Sequence, residues 1–178
     1  MELMIIPKGS GKFDVVDGKG RKIYSVTKKR KLMGNPITTL HDASGYALYT
    51  MVRTASGKKP SFQIIFNDAL FMTVQCKSLY VDPSILYEGD PGKFELKGKS
   101  AADMELKTNN QVIGGVVTEQ QSNGNPKYKL TIDDQYFDDY IPLFAVAVDA
   151  SPSVVAVWRS AFCCRRLRLR ALAFRCGG

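Results

Sequence analysis

The 178-residue chain is poor in the side chains that usually carry chemistry. It has one histidine, His41, and four cysteines, Cys76, Cys163, Cys164 and Cys176. Only Cys76 falls in the first 150 residues, so no disulfide framework exists there. A reducing, intracellular compartment is the natural expectation. Structural zinc takes four nitrogen or sulfur ligands at suitable spacing, and one histidine, one cysteine and an adjacent Cys163-Cys164 pair do not supply them. A Ser-His-Asp or Cys-His site would have to use His41, and no serine lies in a nucleophile-elbow setting. His41 stands at a strand end before Asp42 and reads as structural. No enzyme activity, metal or cofactor is therefore expected. No stretch approaches the roughly 18 uninterrupted apolar residues of a membrane-spanning helix. The opening Met1-Glu2-Leu3-Met4-Ile5-Ile6-Pro7 is too short for a signal peptide and carries an acid where the positive region belongs, so no targeting segment is expected.

Acidic residues are missing altogether from residues 151–178, which hold six arginines and no lysine. The first 150 residues hold 16 lysines, 3 arginines and all 17 acids, a net charge of +2. The overall +8 thus belongs mainly to the tail, and no nucleic-acid face is expected on the domain. The length favours one domain, and a 44% hydrophobic share is ordinary for a globular chain. The expected organisation is a domain over 1–150 and a poorly ordered Arg/Cys-rich extension over 151–178.

What the sequence does have is strand chemistry punctuated by turns. Phe13-Asp14-Val15-Val16 meets Asp17-Gly18-Lys19-Gly20 and then Ile23-Tyr24-Ser25-Val26, a strong hairpin signal. Similar units follow over residues 37–52, 62–74 and 103–117, each turning on Asp, Asn or Gly. Tyr128, Leu130 and Ile132 alternate with Lys129, Thr131 and Asp133; Phe94 with Leu96, and Met104 with Leu106, repeat the pattern. Such alternation describes a sheet with one buried and one wetted face. About eleven closely spaced strand candidates suit a sandwich or barrel. Asp17-x-x-Gly20-x-x-Ile23-Tyr24 and Asp42-x-x-Gly45-x-x-Leu48-Tyr49 share a pattern, either as common turn chemistry or as an internal repeat.

One segment breaks the β pattern. No side chain from position 141 to 148 is polar, which describes a helix buried on every side, here over residues 140–148. Asp138 or Asp139 is expected to cap its start, with Pro142 in the first turn. A buried strand is the competing reading of Ala145-Val146-Ala147-Val148.

In this order the blocks resemble the LURP-one-related family, whose domain is similar to the tubby C-terminal domain and more distantly to phospholipid scramblases. The resemblance is carried by Phe13–Asp17 with Ile23–Val26, Leu40–Leu48, Phe94–Gly98, Val112–Val117, and Tyr128–Ile132 leading to Asp139–Asp149. It implies a mainly β fold, a closed antiparallel barrel of about twelve strands around a central apolar helix. It also implies a non-enzymatic module. Tubby-type domains bind phosphoinositide headgroups at the cytoplasmic membrane face, and some plant members are linked to pathogen defence. The family supplies no catalytic residues.

Two basic clusters are candidate contacts for an anionic headgroup: Lys28, Lys29, Arg30 and Lys31, read as a loop after a strand, and Lys58 with Lys59 on a second loop. The plain alternative is a solvated loop at each place. Asp133-Asp134 and Asp138-Asp139 raise the question of calcium, but the EF-hand spacing and its glycine are absent. In the tail, the arginines do not gather on one helical face; Cys163-Cys164 beside Arg165-Arg166 reads either as an acylation signal or as an extension of no fixed role. The leading expectation is a cytoplasmic module, peripheral at the plasma membrane, that recognises phosphoinositide or another anionic lipid. The alternative is a protein-interaction module with a protein partner and no lipid role. Lipid scrambling ranks last, because the central helix is too short to insert in a membrane.

Overall fold

In the computed structural model, residues 1–29, 35–57, 59–78 and 82–150 are described. Twelve strands follow one another among them. They are β1 (Glu2–Gly9), β2 (Lys12–Asp17), β3 (Lys22–Lys29), β4 (Ile37–Asp42), β5 (Ala47–Ala55) and β6 (Ser61–Phe66), then β7 (Ala69–Ser78), β8 (Ser84–Gly89), β9 (Gly92–Ser100), β10 (Asp103–Thr108), β11 (Gln111–Gln120) and β12 (Pro126–Ile132). Each strand pairs antiparallel with its chain neighbour, and β12 returns to β1 through Leu3↔Leu130 and Ile5↔Tyr128, closing the sheet. After a 3-10 turn at Asp134–Tyr136 comes α1 (Pro142–Ala150).

The alternation read from the sequence places one side chain of each pair inside. Tyr128, Leu130 and Ile132 are buried, as are Met104 with Leu106 and Phe94 with Leu96. Outward positions carry charges such as Lys129 on β12 and Glu105 on β10, where a membrane-spanning barrel would carry an apolar band. No described helix is long and apolar enough to cross a membrane.

The helix fills the barrel. From position 141 to 148 every side chain is buried and joins the same core as the inward residues of the strands. Tyr87 of β8 stacks on Phe144 with ring centroids 3.9 Å apart and donates its hydroxyl to the Phe144 carbonyl at 3.0 Å. Burying Leu143, Phe144, Val146 and Val148 stabilises the fold by about 1.5–3 kcal/mol each. The apolar run therefore forms the helix rather than the competing strand, because a closed sheet leaves an axial space that only an element with self-satisfied backbone can occupy.

Its start differs from the expectation. The helix begins at Pro142, and neither Asp138 nor Asp139 caps it with its carboxylate. The Asp139 carboxylate instead accepts the Tyr24 hydroxyl, and that of Asp138 accepts the Asp139 amide at 2.6 Å. A tight turn through Tyr140 and Ile141 separates them from the helix, with Leu143 N–H on the Tyr140 carbonyl at 3.0 Å.

Because all pairs are antiparallel, connections alternate between two ends of the barrel. The N-terminus and the segment leading into α1 lie at the entry end. The β1–β2, β3–β4 and β5–β6 connections and the last turn of α1 lie at the exit end. The two repeated hairpins are both at the entry end and use one turn. In each, the aspartate main-chain carbonyl accepts from the glycine three residues on, and its carboxylate accepts the amide four residues on, Arg21 at 2.9 Å and Tyr46 at 2.8 Å.

Candidate anion-binding mouth of the barrel

At the exit end the inward series on two strands changes from apolar to cationic. On β3, Tyr24 and Val26 are buried, and Lys28 is the next inward position. On β5, Tyr49 and Met51 are buried, and Arg53 follows. Each cation lies over an aromatic ring of the adjoining inward row. Lys28 Nζ is 4.7 Å from the centre of Phe13, and the Arg53 guanidinium carbon is 5.4 Å from that of Phe62. Such rings hold a cation near an apolar core while leaving it available to an anion.

Both cations are tied to the end of α1. Lys28 Nζ pairs with the Asp149 carboxylate, whose other oxygen accepts the Tyr128 hydroxyl at 2.7 Å. Arg53 Nη2 donates to the Ala150 carbonyl at 2.8 Å. Its Nε is buried and has no hydrogen-bond partner among the described residues. The Tyr128 hydroxyl is pushed far above its ordinary range, first by burial and then by the Asp149 carboxylate, so it stays a donor. A carboxylate in the last turn of a helix faces the negative end of the dipole, so Asp149 depends on Lys28 and Tyr128 to be held.

Lys28, Arg53, Asp149 and Ala150 line a pocket of about 380 Å³ with Phe13, Phe62 and Lys29, and Tyr128 lies buried behind the Asp149 carboxylate. Its charged lining is three cations, Lys28, Lys29 and Arg53, against one carboxylate, Asp149. Backbone geometry seats Lys28 closely. Gly11 has φ +72°, and a Cβ there would meet the Lys28 carbonyl oxygen at 2.8 Å. A larger groove of about 480 Å³ runs along β9 and β10, but Lys97, Lys99 and Lys107 are balanced there by Asp82, Asp103 and Glu105. It offers a ligand no net field.

Of the residues singled out from sequence, Lys28 and Lys29 lie at the end of β3 rather than on a loop. The strand continues because each has a partner, Thr38 and Ile37 of β4. Lys59 stands in the β5–β6 connection and lines a separate groove with Ser61, Gln75 and Lys77. Arg30, Lys31 and Lys58 lie outside the described residues, as does the tail with its cysteines and arginines. Arg53, Phe13, Phe62 and Asp149 were not among the candidate contacts. The signal for Arg53 was the period-two series Tyr49, Met51, Arg53, read one step further.

The family model for LURP-one-related proteins matches residues 1–149. The chain belongs to the LURP-one-related family. No curated protein and no solved structure matches it. The family match ends at Asp149, so every described group of the mouth except Ala150 falls inside the LURP-one-related domain.

Elsewhere in this LURP-one-related domain, polar side chains serve the scaffold. His41 bridges Thr27 Oγ1 at 3.1 Å and the Gly45 carbonyl at 3.3 Å, which holds the β4–β5 hairpin to β3. Among the described residues no three His, Cys, Asp or Glu side chains converge as metal ligands. The acidic cluster spends Asp134 on the Met1 amino group and Asp139 on Tyr24.

Proposed function

We propose that this LURP-one-related chain is a non-enzymatic binding module that recognises anionic membrane lipid, phosphoinositides foremost, at the cytoplasmic face of the plasma membrane. The observation that carries the reading is the mouth at the exit end, where Lys28, Lys29 and Arg53 face a single carboxylate. Lys59 adds a further cation at the same end, and in chain order Arg30 and Lys31 follow Lys29 while Lys58 precedes Lys59. Clustered cations gain about 1 kcal/mol each near an anionic leaflet, an attraction that salt screens. The Phe13 and Phe62 rings beneath Lys28 and Arg53 hold those two cations at the pocket.

The test is co-sedimentation of the full chain with vesicles. Binding is expected to phosphatidylinositol bisphosphate in phosphatidylcholine and not to phosphatidylcholine alone, to weaken with salt, and to drop at least tenfold in K29E/K59E. Equal pelleting with both vesicle types would end the reading.

A second reading, a protein-interaction module in signalling or plant-type defence, is favoured by the opposite end. There Tyr46 is 69% exposed and Leu70 53% exposed at neighbouring hairpin tips, beside Asp42 and Asp68. Capture of one defined partner that is lost in Y46S/L70S, with no vesicle preference, would favour it.

A further inference from the structure

We propose that the pocket at the mouth is a seat for one phosphate-monoester group, and that Asp149 is its built-in competitor, so that ligand entry releases the last turn of α1. This rests on the anionic-lipid reading above and names the contact within it. The Asp149 carboxylate already occupies the place an incoming phosphate oxygen would take, on Lys28 Nζ and the Tyr128 hydroxyl. Arg53 offers a second point of attachment through its buried Nε–H, which has no partner among the described residues, while its Nη2 donates to the Ala150 carbonyl. A dianionic phosphate makes more charge-assisted bonds to this pair than one carboxylate does. The carboxylate is also the weaker occupant for a second reason: it sits against the negative end of the helix dipole. Lys28 and Asp149 keep 24% and 17% of their side-chain surface exposed, so a ligand can reach the pair without opening the barrel.

Exchange of Asp149 for phosphate leaves Tyr128 and Lys28 satisfied and frees the carboxylate to water. The helix end then loses both ties of Asp149 together and keeps the Arg53 bond to the Ala150 carbonyl. By linkage, whatever loosens the helix end must tighten ligand binding, and the reverse.

The experiment compares wild type, Asp149→Asn, Tyr128→Phe and Asp82→Asn as full chains. The last adds the same charge as Asp149→Asn at the exit end but outside this pocket. Two probes are used, soluble inositol trisphosphate and phosphatidylinositol bisphosphate vesicles, with amide exchange of residues 146–150 as the second readout. Asp149→Asn is expected to bind both probes roughly tenfold more tightly than wild type, the worth of one charge-assisted bond. Asp82→Asn should not, and either probe should speed exchange at residues 146–150 in wild type. Tyr128→Phe takes one bond from the carboxylate and from the phosphate alike, so its affinity should stay near that of wild type; if Asp149→Asn does not fold, unchanged exchange at residues 146–150 with either probe bound to wild type overturns the competitor. Binding of the soluble probe alone supports the seat and assigns it to a free phosphate ester rather than a lipid. Equal affinity in wild type and Asp149→Asn, or equal gains in Asp149→Asn and Asp82→Asn, would overturn the competitor while leaving lipid recognition standing. No binding of any variant to either probe removes both readings together.

Discussion

Single residues set how the plug is fixed in its sleeve. Tyr87 contributes both a stacked ring and a hydroxyl to Phe144, and the two can be separated. Tyr87→Phe keeps the ring and is expected to cost about 1 kcal/mol, one net hydrogen bond. Phe144→Ala opens a cavity on the barrel axis and is expected to cost about 3–5 kcal/mol. Urea denaturation of the two variants checks the order; equal costs would mean that Phe144 is not packed as described. The buried hydroxyls also dictate an alkaline limit. Burial raises Tyr24, Tyr87 and Tyr128 above their ordinary value, with Asp139 and Asp149 adding to it at Tyr24 and Tyr128, and Tyr140 is pushed up to about 12. The folded state therefore holds protons that the unfolded chain gives up near pH 10. Stability is full below that pH and falls as pH rises beyond it. Tyrosinate absorbance from these residues should appear together with loss of the β circular-dichroism signal; a smooth titration with the fold intact would contradict their burial.

At the scale of elements, the helix and most strands were legible, because burial on all sides or on alternate sides leaves a direct trace in side-chain polarity. The helix without a wet face expected over residues 140–148 is there as α1, Pro142–Ala150. Its exact start was not legible, since a cap and a tight turn both use Asp, and only the position of Tyr24 decides between them. β8 left no alternation to read: Ile85 and Tyr87 point inward, yet Ser84 and Leu86 are buried as well. The mouth was half legible. Charge marked Lys28 and Lys29 but suggested a loop, whereas pairing with β4 carries the strand through them. Arg53 was hidden among ordinary strand residues, because its importance comes from standing across the barrel end from residues far off in sequence. The turn at Gly11 ties these elements together. Gly11→Ala must strain a positive φ and press on the Lys28 backbone. It is expected to destabilise the domain by about 1–3 kcal/mol and to weaken ligand binding at the mouth beyond what the lower stability explains. Melting curves set beside vesicle affinity test this, and unchanged affinity would separate the turn from the site.

At the scale of the whole molecule, the two ends differ in kind. The exit end presents cations above an aromatic collar; the entry end presents Asp68, Asp90 and Asp138 around exposed Tyr46 and Leu70. A barrel so polarised approaches an anionic surface with one end first, and ionic strength should govern the approach more than the residence. Between those ends the wall has a single seam joining chain beginning to chain end, the pairing of β1 with β12. A cylinder of hydrogen-bonded strands has no free border along which a stranger can add itself. Deleting residues 1–9 would unzip that seam and create two borders at once, along β2 and β12. Such a shortened chain should not settle into an eleven-strand version of itself; size-exclusion chromatography should find it gathered into large assemblies, the bare β12 of each copy pairing with the bare β2 of the next.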